Sequence, residues 1–304
     1  MLINLLPTTL CNFRCAYCYI GKDALGDPRT LDLKKLPKIL DTFSPIDHID
    51  CYGGEVTLLP DDYMLDLLSI CSTYVSKPIT VISNGYKTPW WLKLPSVWPT
   101  FSWDYMCREK WREVYMNMKN FDRPFSLLMV ATASLMKRDV GEIIHALNAL
   151  PNLQSVEIKP YSPNQFNKFK ITNKEFEEFI KKFIGAGLSA TFVNEDSIVR
   201  LLDGEVREKI LDDGFFIFPD GKIGSFEQDE NDFEKFVRYE DKEYLSRAYK
   251  ARNAKVKANP YCSKCEYLYG CISENFREVK NLDDSCDGFI DLIKWYEENH
   301  YDRA

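Results

Sequence analysis

Along the first two-thirds of this 304-residue chain the apolar positions switch repeatedly between two periods. Short apolar runs at Leu2 to Leu6, His48 to Tyr52, Ile79 to Ile82, Phe101 to Asp104, Leu127 to Thr132 and Val156 to Pro160 read as six strands. Between them the spacing becomes helical. Leu33, Leu36, Ile39, Leu40 and Phe43 share one side, with Pro37 placed near the first turn, where its missing N–H does no harm. Met64, Leu67, Leu68, Cys71 and Val75 mark a second helix, which makes Cys71 a small core residue, and Val140, Ile143, Ile144 and Leu147 a third. Thr172-Asn173-Lys174-Glu175 is a capping box, opening a helix with Phe176, Phe179, Ile180 and Phe183 on one face. Strands alternating with amphipathic helices predict βαβ units and a parallel sheet. From about Asn194 the periodicity fades and charges become dense, apart from Phe215 to Ile223, two strands turned by Pro219-Asp220-Gly221.

Composition narrows the class. Hydrophobic residues at 45% and charged residues at 28% are globular values, and the length permits one large domain or two small ones. A net charge of −7, from 39 basic and 46 acidic residues, argues against a broad basic surface gripping nucleic-acid backbone, while leaving a free nucleoside open as a ligand. Neither a bilayer-spanning run nor a basic region ahead of the N-terminal apolar stretch is present, so a cytoplasmic location without membrane attachment is expected. In such a chain ten cysteines read better as metal ligands than as disulfides.

Seven of those cysteines form two groups with ligand spacing. Cys11, Cys15 and Cys18 lie three and two residues apart just after the first strand, and three thiolates can hold three corners of an iron-sulfur cube, leaving one iron open for chemistry. A zinc site would want a fourth nearby Cys or His, and His48, His145 and His300 are all distant in sequence. The second group is Cys262, Cys265, Cys271 and Cys286, enough for a closed site. By spacing alone, zinc and iron-sulfur are both open there.

The first group, with Tyr17 directly before Cys18, resembles the signature of the radical S-adenosylmethionine (SAM) enzymes. Tyr52-Gly53-Gly54-Glu55 resembles that family's GGE motif, Ser83-Asn84-Gly85 its strand-three motif, and Ser102-Trp103-Asp104 its Ser-x-Asp motif near the cofactor ribose. The resemblance implies a [4Fe-4S] cluster whose open iron chelates SAM, glycines Gly53 and Gly54 approaching SAM with backbone alone, Glu55 on the SAM ammonium, and a 5′-deoxyadenosyl radical that abstracts hydrogen from substrate. It implies a partial (β/α)6 TIM-like barrel over residues 1–195. Each motif falls at a strand C-terminus, the functional end of such a barrel.

Residues 196–304 resemble the SPASM/twitch-type extension. That implies an auxiliary [4Fe-4S] cluster on Cys262, Cys265, Cys271 and Cys286. The cysteines that a second auxiliary cluster needs are replaced by Asn275 and Phe226, so one auxiliary cluster is expected, serving as electron relay or brace. The segment from Pro7 to Tyr19 resembles the peptide- and protein-modifying subgroup, making a peptide or protein side chain the expected substrate. A radical isomerase or dehydrogenase acting on a nucleoside or other small molecule is the alternative. Implied partners are an external electron donor of flavodoxin or ferredoxin type and, because Cys11 lies so near the start, a leader-peptide-binding protein on a separate chain. Asp104, Glu157, Lys159 and Tyr161 are candidates for proton transfer. Trp90, Trp91, Trp98, Trp103 and Trp111 crowd one stretch; a base-stacking platform is one reading, and core packing is the preferred one.

Overall fold

The computed structural model describes residues 1–18, 20–161, 171–205, 215–228, 234–268 and 288–301. Strands β1 (Leu2–Leu5), β2 (His48–Cys51), β3 (Ile79–Ser83), β4 (Val97–Ser102), β5 (Phe125–Ala131), β6 (Leu153–Pro160) and β7 (Thr191–Phe192) lie side by side in chain order, all parallel. The helices between them are α1 (Leu36–Asp41), α2 (Asp61–Ser72), α3 (Trp111–Lys119), the single turn α4 (Ala133–Met136), α5 (Val140–Asn148) and α6 (Asn173–Lys181); α7 (Val193–Leu202) follows β7. This is the partial barrel, with a seventh short strand added to the expected six.

Local chemistry explains the elements. Pro37 sits in the first turn of α1, and Asp61 and Asp62 in the first turn of α2 meet the positive end of its dipole. Thr172 and Glu175 close the capping box at α6. Along β5, Phe125, Leu127, Met129 and Ala131 are buried while the residues between them are half-buried, the period of a strand. The buried set joins one core with Leu67, Leu68 and Cys71 of α2, Val114 of α3 and Ile143 of α5. The alternate set is largely polar and internally paired. His48 Nε2 lies 2.7 Å from Thr80 Oγ1 and 2.9 Å from Asp50, Trp98 Nε1 donates to Ser126 Oγ at 2.8 Å, and Ser126 Oγ lies 2.7 Å from Ser155 Oγ.

The sheet continues past residue 195. The hairpin at Pro219-Asp220-Gly221 joins β8 (Phe215–Ile217) to β9 (Ile223–Gln228), which pairs antiparallel with β10 (Glu234–Tyr239). β8 lies parallel to β1, and Leu6 N donates to Ile217 O at 2.8 Å. Helices α8 (Lys242–Ala258) and α9 (Ile290–Asn299) follow. α9 packs on α6 and α7, its buried Leu292, Ile293 and Tyr296 joining the barrel's core, and Leu292 N donates to Glu177 of α6 at 3.0 Å. Among the described residues no helix is long and apolar enough to cross a membrane.

Candidate active site at the strand C-termini

The chain leaves β1 through Leu6 to Leu10 and turns into the loop carrying Cys11, Cys15 and Cys18, all free and half-buried. Thr8 starts the turn: its Oγ1 accepts from Leu10 N at 3.1 Å and donates to Arg29 O at 3.2 Å. Cys11 N donates to Leu25 O at 3.0 Å, and Cys18 N to Cys15 O at 3.1 Å. Phe13 is buried and packs on Tyr86, ring centres 5.8 Å apart.

Gly53 and Gly54 clamp that turn. Gly54 N donates to Thr8 O at 2.9 Å and Glu55 N to Leu10 O at 2.7 Å. A Cβ on Gly54 would sit 2.2 Å from Leu10 O, and one on Gly53, at φ +139°, 2.4 Å from Thr8 O. The close approach that only glycine allows is therefore made, in this chain, between two segments of backbone. Glu55 is 1% exposed. Its Oε1 accepts from Thr57 N (3.0 Å), Thr57 Oγ1 (2.7 Å) and Ser83 Oγ (2.8 Å), and its Oε2 from Asn84 N (2.7 Å). The side chain ties the end of β2 to the end of β3. The tie then reaches the cysteine loop, because Asn84 Nδ2 donates to Asn12 Oδ1 at 2.8 Å.

A second tie comes from the end of β4. Tyr17 Oη donates to Asp104 Oδ2, and Val130 N of β5 donates to Asp104 Oδ1 at 2.6 Å. Burial raises the Asp104 carboxyl, opposed mainly by the neighbouring Arg108 guanidinium; burial and Asp104 together push the Tyr17 phenol well up. Ser102 is half-buried at the end of β4, opposite Leu128. On β6, Glu157 and Lys159 pair at 2.7 Å, each about a third exposed at 35% and 34%. Lys159 is in register with Val130, one strand from the Asp104 contact. Tyr161, just beyond, is buried, and burial raises its phenol.

Sequence reasoning missed Arg108. Its guanidinium lies 6.0 Å from the ring centres of both Phe13 and Tyr17 and within electrostatic reach of Cys15 and Asp104. It stands among charges in Cys107-Arg108-Glu109-Lys110-Trp111-Arg112-Glu113, a stretch that reads as solvated surface. Trp91 and Trp103 are fully buried, so core packing holds for them, and no platform for a base can include either.

Of the second cysteine group, Cys262 is buried and Cys265 half-buried around the turn Cys262–Lys264, where Asn259 Oδ1 accepts from Tyr261 N at 2.9 Å and Cys262 N at 3.0 Å. Cys271, Asn275 and Cys286 lie outside the described residues, and so does Tyr19.

The first loop fits the group its spacing implies. Its donors are three free thiols, Arg108 Nε beside them is shut off from solvent without a hydrogen-bond partner among the described residues, and the supporting backbone leaves no room for a Cβ. Burial pushes the Cys18 thiol up to about 11 and raises Cys11, so bound metal would be needed to hold these sulfurs as thiolates at neutral pH. Among the described residues no three Cys, His, Asp or Glu side chains converge on a single-ion site.

The three thiols lie at the C-terminal end of the first strand of a partial barrel, the end at which barrels of this kind carry their chemistry. Residues 5–95 match the family model of the Radical SAM superfamily. No curated protein matches the sequence. The fold is similar to that of anSMEcpe with bound AdoMet and Cp18Cys peptide, at 13% identity and TM-score 0.68, over 98% of this chain and 96% of that one. It is also similar to Streptococcus suis SuiB bound to S-adenosylmethionine, at 14% identity and TM-score 0.62, over 89% of this chain and 71% of that one.

Proposed function

We propose that this enzyme cleaves SAM reductively to the 5′-deoxyadenosyl radical and uses it to take hydrogen from a side chain of a peptide or protein. The observation that carries the reading is the cysteine loop itself, three free thiols pinned from both sides at the barrel mouth by Gly53-Gly54 and by Asp104. Peptide as substrate is supported by the fold shared with anSMEcpe bound to Cp18Cys peptide and with SuiB bound to precursor peptide SuiA, the latter at 14% identity and TM-score 0.60 over 89% of this chain and 70% of that one.

When bound, a [4Fe-4S] cluster on Cys11, Cys15 and Cys18 supplies the electron and the iron on which SAM is held. The chain's own residues supply the rest. Gly53, Gly54 and Glu55 fix the loop, Ser83 and Asn84 lock Glu55 and Asn12, and Ser102 borders the place for SAM at the end of β4. Tyr17 and Asp104 hold the loop's far side. Glu157 and Lys159, half-exposed and paired at the mouth, are placed to move a proton to or from substrate, and Tyr161 backs them.

Residues 1–195 form the catalytic barrel. Residues 196–304 carry the SPASM/twitch-type extension, with one auxiliary [4Fe-4S] cluster on Cys262, Cys265, Cys271 and Cys286. A flavodoxin- or ferredoxin-type donor in the cytoplasm would supply the electron.

The test is isotope transfer. The reconstituted enzyme receives SAM, dithionite and a side-chain-deuterated peptide encoded by a short reading frame beside its gene. Deuterium in 5′-deoxyadenosine is expected; label transferred only from deuterated nucleosides would contradict the peptide reading.

A further inference from the structure

We infer that Arg108 is a positioning residue for the cluster loop, a half-buried cation set against the three thiolates that keeps the loop in ligating form and favours the reduced cluster. This rests on the reading of Cys11, Cys15 and Cys18 as the cluster site.

The segment from Asp104 to Lys110, between β4 and α3, lies over the cysteine loop and touches it three times. Asp104 accepts from Tyr17 Oη, Glu109 Oε2 accepts from Arg14 N at 3.3 Å, and the Arg108 guanidinium lies 6.0 Å from the ring centres of Phe13 and Tyr17. Two non-glycine residues on this short segment, Met106 at φ +54° and Lys110 at φ +56°, adopt the left-handed conformation that L side chains rarely take. They lie two residues to either side of Arg108, so the backbone is strained where it turns this side chain inward. Strain of that kind persists only where the surroundings enforce it.

A guanidinium drawn inward needs anionic partners. Asp104 and Cys15 both act on it, while Arg108 Nε is closed to solvent and has no hydrogen-bond partner among the described residues. Three thiolates make the assembled site anionic, and adding an electron makes it more so. A fixed cation at short range in a dry pocket therefore stabilises the reduced form over the oxidised one. The flat faces of Phe13 and Tyr17 suit a guanidinium better than an ammonium, which stacks less well.

The test is an EPR-monitored redox titration of the full-length, reconstituted enzyme with SAM bound, on wild type, Arg108→Gln and Arg108→Lys. At the potential where the wild-type N-terminal cluster is half reduced, Arg108→Gln is expected to lower the reduced-to-oxidised ratio at least tenfold, equal to about 59 mV for a one-electron couple. Arg108→Lys, keeping the charge, is expected to stay within threefold of wild type. A ratio within twofold of wild type in Arg108→Gln overturns the proposal. Should Arg108→Gln not fold, Arg108→Lys carries the test alone: its N-terminal cluster is expected to release iron to a chelator at least fivefold faster than wild type, and an unchanged rate overturns the proposal. A wild type without any SAM-perturbed cluster signal would instead overturn the reading of the site.

Discussion

The two cysteine segments are held in opposite ways. Cys11, Cys15 and Cys18 sit on a loop gripped by three neighbouring strand ends, through Gly53-Gly54, through Glu55 with Ser83 and Asn84, and through Asp104. Cys262 and Cys265 sit in a single turn after α8, where the side chain of Asn259 accepts two backbone N–H groups. A site that must present an open iron to substrate needs a rigid surround, because small displacements at a reacting centre are costly. A site closed by four thiolates is shaped by its own metal, and the fold need only bring the ligands near.

The sharpest way to break this contrast is Gly54→Ala. Its Cβ would fall 2.2 Å from Leu10 O, backbone that cannot swing aside. A loss on the order of 3–5 kcal/mol is expected, with loss of iron from the first site; denaturant melts and iron analysis check it, and a variant as stable and iron-loaded as wild type would remove the clamp from the account. Asp104→Ala comes next. It leaves the buried Tyr17 hydroxyl and Val130 N–H without their acceptor, each at about 1–3 kcal/mol, and should reduce SAM cleavage with the loop.

Asn259→Ala probes the other side. Two N–H groups lose a cap, at about 1 kcal/mol. Iron bound at the second site should fall while 5′-deoxyadenosine formation by the first persists; equal losses at both sites would erase the distinction.

The smallest effect lies at the joint between the regions. Burial raises the Glu177 carboxyl above its ordinary 4.5, against the pull of the Leu292 N–H it accepts. A carboxyl raised in the fold binds protons more tightly folded than unfolded, so its contribution is full below 4.5 and is lost as pH rises through the raised value. Glu177→Gln keeps an acceptor without the charge. It should stabilise the chain at pH 8 by on the order of 1 kcal/mol and leave it unchanged near pH 4, read by thermal melts at both.

Strand and helix order was legible through β6 because burial imposes its period on the residues, as in β5. β4 was read as Phe101 to Asp104; it runs from Val97 to Ser102. Proline is tolerated there because the described pairing with β5 starts only at Thr100, leaving position 99 bonded on the β3 side. α3 went unread because Val114 and Met118 are its only fully buried residues, set among charges and half-buried aromatics. α8 and β10 lie in charge-dense sequence with no clean period. At the site, residue types announced themselves but their partners within the chain did not: the glycines pack on backbone of the cysteine loop, Glu55 holds two strand ends together, and Arg108 carried no local signal. Contacts over 28 to 87 residues of sequence, such as Ser83 with Glu55 or Tyr17 with Asp104, leave no pattern in a single chain.

The most direct test of the central claim is anaerobic incubation of the reconstituted enzyme with dithionite and SAM, followed by chromatography for 5′-deoxyadenosine, beside the Cys11, Cys15, Cys18 triple alanine variant. Wild type should form 5′-deoxyadenosine with about eight irons per chain, and the variant none, with about four. Zinc in place of iron at the first loop, or wild type that leaves SAM intact, would contradict the account.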